Sequence, residues 1–316
     1  MSWFLIAILA YFLLAIVNLT DKFLIDNVLK SSKAYTFLVC LLGSLIFLAA
    51  PWFLRWPGNF LFFANIFTGI LFSAALYFLY ESLRRGEAAR TIILIGGLIP
   101  IFSAIISWIF LGDVLLYVQV LGLIFLLAGI FLIAFLPGRH SFWEKLWQGL
   151  RSEDYKKNSI ILIVLAALFY SLFFIATKYV YIRQEFWSAF MWVRLGALIS
   201  VLFFLFEKKS RLEIITTLSG DSDHKKHKNK NIFLFLFNQG LGSLSFILQN
   251  YAIFLGPVAI ITALQGFQYA IMLFFAFFLG FFFKEYKEKF SWHSLIQKIV
   301  ALVFISSGLY LIALNV

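Results

Sequence analysis

The chain has 316 residues, 63% of them hydrophobic and only 13% charged, about half the charged share of an ordinary soluble domain. That composition excludes a large soluble helical protein, and the apolar stretches leave no soluble domain to carry enzyme chemistry. The net charge of +11 is read as a report on membrane orientation, so no nucleic-acid partner is expected.

Crossing the ~30 Å hydrocarbon core of a bilayer takes about 20 mostly apolar residues in a helix. Ten stretches qualify, at 2–20, 34–54, 59–80, 91–111, 115–136, 159–180, 186–206, 232–254, 257–283 and 293–314. The first has only Met1 and Ser2 ahead of Trp3 and no small-x-small cleavage site behind it, so it is expected to be a retained helix and not a signal peptide. Cys40, the single cysteine, allows no intramolecular disulfide. His140, His224, His227 and His293 lie in or beside loops, which leaves no histidine for a proton relay inside the membrane and no metal site.

A polar side chain facing lipid is costly, so polar residues within spans mark protein or water contacts. Span 1 carries Tyr11, Ala15, Asn18 and Lys22 on one stripe, and span 3 carries Ser73, Tyr77, Tyr80 and Glu81. Glu81 is either a titrating coupling group or a cap paired with Arg84 and Arg85; no other carboxylate falls within a span. Span 5 has nothing polar from Gly122 to Phe135, as a lipid-facing support helix would. Span 6 adds Tyr170 and Ser171.

Arg194, about eight residues into span 7, is the one full charge well inside a span. It is either the anchor of a substrate carboxylate or phosphate, for which its forked donors are suited, or a structural pair or interfacial residue. Span 8 is the most polar: Asn238, Gly242, Ser245 and Gln249 form one helical stripe, with Gln239, Ser243 and Asn250 beside it. This reads as the wall of a hydrated cavity, with interhelical glue as the alternative. Span 9 adds Thr262, Gln265 and Tyr269, with Gln268 nearby.

Loops after odd-numbered spans hold 21 Lys and Arg, and loops after even-numbered spans hold 3. This places the odd loops in the cytoplasm and both termini outside. The loop at 207–231, with its Ser219 to Asp223 run and following lysines, is expected to be disordered.

The two halves match each other. Leu9, Ala10 and Lys22 align with Leu165, Ala166 and Lys178 at an offset of 156, and Ser73, Gly86, Ala89, Leu94 and Gly96 align with Ser243, Gly256, Ala259, Leu264 and Gly266 at an offset of 170. Phe110-Leu111-Gly112 recurs as Phe278-Leu279-Gly280, and Gly129 as Gly308. Five spans per half force the second copy to enter the membrane the opposite way round, an inverted repeat. The fold class is therefore an all-α integral membrane protein with ten transmembrane helices as two inverted five-helix repeats. The first repeat is 1–136, a cytoplasmic linker is 137–158, and the second repeat is 159–316 with the basic loop at 207–231.

The stretch from Gly86 to Phe135 resembles the EamA-type module of the drug/metabolite transporter superfamily. It has Pro100 in span 4, an FLG-acid turn from Phe110 to Asp113, then Gln119, Gly122 and Gly129. The end of span 1, Asn18-x-x-Asp21-Lys22, is also similar to members of this group. The family more often has Glu where this chain has Asp113, and the second FLG-acid turn is degraded to Phe281-Phe282-Phe283-Lys284-Glu285. The resemblance implies a central cavity bounded by spans 1–4 and 6–9, with spans 5 and 10 peripheral. It also implies cytoplasmic termini, against the charge bias.

Together these readings describe a secondary transporter in the inner or plasma membrane that moves a small organic solute, an amino acid or related metabolite, outward by alternating access. The residues expected to bind it are Arg194, Asn238, Gln239, Ser245, Gln249, Gln265, Tyr269, Asn18, Tyr77 and Tyr170, with Glu81 as a weak coupling candidate. Gly96, Gly97, Gly240 and Gly242 are expected to allow close helix packing. Membrane lipid and a small-molecule substrate are the partners, a homodimer is compatible, and no organic cofactor or metal is implied. The competing reading is a flippase for lipid or lipid-linked sugar; a membrane-embedded enzyme or a non-transporting scaffold fits less well.

Overall fold

The computed structural model of the chain describes residues 2–27, 31–85, 88–112, 116–134, 159–219, 228–268, 271 and 292–313. Every regular element among them is helical. The long helices are α1 (Ser2–Asn27), α2 (Ser32–Gly43), α4 (Asn59–Arg85), α5 (Ala88–Leu111), α6 (Tyr117–Ala134), α7 (Ser159–Tyr181), α8 (Phe186–Leu202), α10 (Lys228–Leu255) and α12 (Trp292–Ala313). Three further helices are α3 (Ala50–Phe53), α9 (Lys208–Ser219) and α11 (Val258–Ala263). The chain from α2 continues through a 3-10 turn at Ser44–Ala49 into α3, so that Ser32–Phe53 acts as one crossing.

Among the described residues, six helical segments are long and apolar enough to cross a membrane: α1, the α2 to α3 segment, α4, α5, α7 and α8. Shorter apolar helices cover Tyr117–Leu132 and Val258–Gln268. At 1.5 Å per residue the 28 residues of α10 and the 22 of α12 also match a bilayer in length. Large apolar side chains such as Leu48, Phe60, Phe63, Phe67 and Phe110 stand exposed, which is stable only against lipid. Trp52, Trp56 and Trp108 are exposed near helix ends, where an interfacial belt would place them.

The helix pairing follows a two-fold rule. Exchanging α1 with α7, α2 with α8, α4 with α10 and α6 with α12 turns the α4–α7 pair into α10–α1 and returns the α6–α12 pair to itself, and all three pairs pack closely. The α6–α12 seam shows this at atomic level. A Cβ on Gly129 would lie 2.7 Å from the Ala301 carbonyl oxygen and from the Ile305 side chain. A Cβ on Gly308 would lie 2.6 Å from the Gly122 carbonyl oxygen and 2.8 Å from Leu126. Glycine therefore sets the distance between the two backbones, and it does so twice, at positions that one offset converts into each other.

The two ends of the bundle are tied differently. At the even-loop end, Ser188 Oγ and the Trp192 indole donate to the Arg55 carbonyl at 3.0 and 2.8 Å, and Arg55 lies 3.5 Å from Glu185. Just inside it α4 and α8 touch backbone to backbone, where a Cβ on Gly69 would come within 2.2 Å of the Val193 carbonyl oxygen and one on Gly196 within 2.4 Å of that of Ile66. Ser73 and Ser200 close the same seam at 2.8 Å. The two-fold counterpart of this seam, between α2 and α10, is only lightly packed.

At the odd-loop end lies α9, inside the stretch at 207–231 expected to be disordered. The stretch is ordered over Lys208–Ser219 because its polar face has partners: Ser31 donates to Glu213 at 2.7 Å, and Lys33 pairs with Glu207 and reaches Ser210 at 2.7 Å. The Lys33 ammonium holds the Glu207 carboxyl below the usual carboxylate range, so this tie exists at neutral pH and is lost as pH falls through the lowered value. Residues 220–227, the 137–158 linker, Asp113 and the 281–285 turn lie outside the described residues.

Candidate solute-binding site

A cavity of about 120 Å³ sits where the two halves meet. Its walls obey the repeat. At an offset of 156, Leu14 and Asn18 correspond to Tyr170 and Phe174; at 170, Phe72, Leu76, Leu79 and Ile95 correspond to Gly242, Phe246, Gln249 and Gln265. All twelve line the same cavity, as the surroundings of a two-fold axis must. The copies differ in chemistry: the first contributes Leu79 and Ile95 where the second contributes Gln249 and Gln265. At these two pairs of positions the first copy is apolar and the second carries amides.

Arg194 on α8 reaches this cavity while only 5% exposed. Its guanidinium carbon lies 4.1 Å from the Phe246 ring centre, 4.8 Å from Phe72 and 5.1 Å from Phe190. Three ring faces hold the cation in place without neutralising it. Gly43 makes room for it, since a Cβ there would meet Nη1 at 3.0 Å. No carboxylate pairs with Arg194 among the described residues, and its Nε has no hydrogen-bond partner.

Two lining glutamines share that condition. Gln265 Oε1 and both polar atoms of Gln268 are buried without a partner. A buried polar atom left unpaired costs about 1–3 kcal/mol. A guanidinium donor and two amides are left so around one cavity. Gln249, by contrast, is fixed: it donates to Tyr11 Oη at 3.2 Å, and Tyr11 donates to the Ile261 carbonyl at 2.8 Å.

The structure sorts the expected residues. Arg194, Gln239, Gln249, Gln265, Asn18 and Tyr170 line the cavity. Asn238 is buried beside it and donates at 2.7 Å to Asp21. Ser245 turns back to the Leu241 carbonyl at 2.7 Å, and Tyr77 packs against Phe78 and Phe204 away from the lining. The face of α10 that meets the cavity is Gln239, Gly242, Ser243, Phe246 and Gln249, which falls between the two stripes read from sequence. Glu81 is held by Arg84 at 2.7 Å and by Arg85, and it caps α4 outside the cavity. Tyr269 lies outside the described residues.

Asp21 was not among the expected residues. Span 1 was expected to end at residue 20, but α1 runs on to Asn27 and carries Asp21 into the cavity lining at 4% exposure. The signal was present in the i, i+3 spacing of Asn18 and Asp21, which puts both on one helix face. The glycines also differ from expectation. Gly240 has open space around it and Gly242 makes an ordinary contact, 3.5 Å from Val17, while Gly97 is close to Ile130 and the tightest seams belong to Gly69, Gly196, Gly129 and Gly308.

Lys178, the repeat mate of Lys22, does a structural job at the rim. Its ammonium donates to the Ile253, Phe254 and Gly256 carbonyls at 2.9, 3.0 and 3.0 Å, closing the C-terminal end of α10 where the helix dipole favours a cation.

A family match covers the first of these two halves. Residues 1–135 match the EamA-like transporter family. The EamA-like half thus takes in α1 to α6, including Asp21, Leu79 and Ile95 of the cavity lining. A crystal structure of another protein superposes on the whole chain with a TM-score of 0.66, covering 100% of this chain and 99% of that one at 16% identity. At that identity the likeness is one of fold. A search of curated proteins found no match. The match makes residues 1–135 EamA-like, and every regular element among the described residues of the chain is helical.

Proposed function

We propose that this EamA-like protein is a secondary transporter for a small organic solute carrying an anionic group, an amino acid or related metabolite. The solute moves outward by alternating access, as repeats 1–136 and 159–316 rock about the shared cavity. The observation that carries this reading is the set of unpaired polar atoms on Arg194, Gln265 and Gln268, buried around one cavity. A carboxylate accepting from the Arg194 fork would satisfy the cation, and amide or ammonium groups of the same solute would pair with the glutamines. The first wall, with Leu76, Leu79 and Ile95, would take an apolar side chain.

The test is thermal stability of the purified protein against amino acids, nucleosides, sugars and lipid headgroups. A ligand at 100 times its Kd stabilises the folded protein by ~2.7 kcal/mol. A carboxylate-bearing polar class is expected to raise the melting temperature. A shift with lipid headgroups alone would replace this reading with a flippase. The charge bias supports an orientation with the odd-loop end in the cytoplasm and both termini outside. A reporter active only outside the cytoplasm, fused after Val316, is expected to work, and activity of a cytoplasmic reporter instead would reverse the orientation.

A further inference from the structure

The EamA-like chain holds a second buried charge on the same cavity, about one and a half helical turns from the end of α1. Asp21 Oδ1 accepts two hydrogen bonds, from Tyr35 Oη on α2 at 2.5 Å and from Asn238 Nδ2 on α10 at 2.7 Å. Gln239 on α10 adds a weaker bond to Tyr35 Oη at 3.4 Å. One carboxylate oxygen therefore joins α1, α2 and α10, and it does so across the α2–α10 seam, which is otherwise lightly packed. The two-fold mate of that seam, α4–α8, is closed by glycine backbones and contains no carboxylate; the residue in the place of Asp21 is Thr177. From Tyr35 to Gly43, which adjoins Arg194, α2 rises ~12 Å, so the two charged ends of the cavity are separate sites.

We propose that Asp21 is a proton-exchange site that controls the α2–α10 seam: ionised, it holds the seam closed; protonated at the odd-loop end, it releases it. Both partners donate to the same oxygen, and a hydrogen bond to a charged acceptor is about twice as strong as one to a neutral acceptor. Loss of the charge weakens both bonds at once, and the seam has little packing to replace them. The proton binds the carboxylate from water on the odd-loop side and leaves by the same group, so no other reactant is needed. The groups that face Asp21 are Tyr35 from α2, Tyr80 from α4, Tyr170 from α7 and the uncharged Asn238 from α10. The acids tied to the start of α2 from α9 and its N-terminal flank are Glu207, through Lys33, and Glu213, through Ser31. The inference rests on the transporter reading for its purpose and on the geometry of Asp21 for its content.

The test needs no transported solute. Spin labels replace Leu41 on α2 and Phe237 on α10, both exposed, in a Cys40→Ala background, and their separation is followed from pH 5 to pH 9 by pulsed electron resonance. The protein otherwise unchanged is expected to pass from a short to a long separation as pH falls, with the ratio of the two populations changing about tenfold or more. Asp21→Asn keeps an oxygen that accepts both bonds but removes the charge, so it is expected to show the low-pH distribution at every pH. Glu207→Gln is expected to leave the transition in place. Tyr35→Phe removes one bond to the carboxylate and is expected to move the midpoint to higher pH, which carries the test if Asp21→Asn fails to insert. A separation that ignores pH, a transition that survives Asp21→Asn, or a midpoint unmoved by Tyr35→Phe would overturn the proposal. None of these readouts depends on what Arg194 binds, so the two readings can fail independently.

Discussion

Replacing Arg194 with alanine is expected to weaken binding of a carboxylate-bearing solute by at least 100-fold while leaving the protein folded and as stable as before, or more so. Two charge-assisted hydrogen bonds from the guanidinium contribute about 1.5–3 kcal/mol each, which together exceed two orders of magnitude in affinity. The stability half of the expectation is the sharper one. Arg194 is 95% buried, has no carboxylate partner among the described residues, and keeps an unpaired Nε. A cation in that condition is held in spite of its desolvation, so removing it relieves a cost. The three rings around it, Phe72, Phe190 and Phe246, return only part of that cost. A structural arginine behaves in the opposite way, with a large loss of stability on truncation. Arg194→Lys keeps the charge but loses the fork, and it is expected to recover less than half of the binding free energy lost in the alanine variant. Isothermal titration and thermal unfolding on the same three preparations decide between the two roles.

Gly69→Ala is expected to be among the most disruptive single-methyl changes in the chain. The added carbon would stand 2.2 Å from the Val193 carbonyl oxygen and 2.4 Å from the Ala197 nitrogen, both backbone, so no rotamer change relieves the clash. The helices must part, at a cost at or beyond the ~1–3 kcal/mol typical of overpacking. Gly196→Ala meets the Ile66 backbone at 2.4 Å from the other side and is expected to behave alike. Gly242→Ala supplies the control, because its nearest contact is the Val17 side chain at 3.5 Å. Beyond stability, parting α4 from α8 loosens the seam that Ser73 and Ser200 also close. A thiol introduced at Ser200 is expected to react with a water-soluble maleimide in the Gly69→Ala protein and not in the parent. Equal melting temperatures for the Gly69→Ala and Gly242→Ala proteins would show that the seam does not set the packing.

Much of this architecture is legible in the chain. Apolar runs of about 20 residues announce helices because no other spanning structure satisfies the backbone in lipid. The Gly129 and Gly308 correspondence is visible by inspection, and it turns out to be a reciprocal contact. Arg194, Gln249 and Gln265 are conspicuous because polar groups in an apolar span need a reason. Other features were hidden for physical causes. Asp21 stands one residue beyond where hydropathy falls off, and hydropathy falls off there because of Asp21 itself. Helix α9 has the composition of a solvated loop and is ordered by Lys33 and Ser31 from a distant part of the chain. Which glycines matter depends on what faces them: Gly240 and Gly69 look alike in sequence, and only one has a backbone against it. The polar stripe of α10 was found, but its rotation was not, because Asn238 and Ser245 point to Asp21 and to their own helix.

The two proposals assign different work to the two ends of one cavity. In the first, Arg194, with Gln265 and Gln268, chooses the solute; in the second, Asp21 senses the aqueous side on which the α2–α10 seam opens. The copies differ at corresponding positions, with Leu79 against Gln249, Ile95 against Gln265 and Asp21 against Thr177.

The most direct test of the central claim is counterflow in proteoliposomes. Vesicles carrying the protein are loaded with the unlabelled amino acid that gives the largest thermal shift, and entry of the same amino acid in labelled form is followed. Transient accumulation of label that saturates with concentration and disappears in Arg194→Ala is the result expected here. Binding that Arg194→Ala abolishes, with no labelled solute crossing the membrane in the unaltered protein, would make this cavity a receptor site and contradict the transport reading.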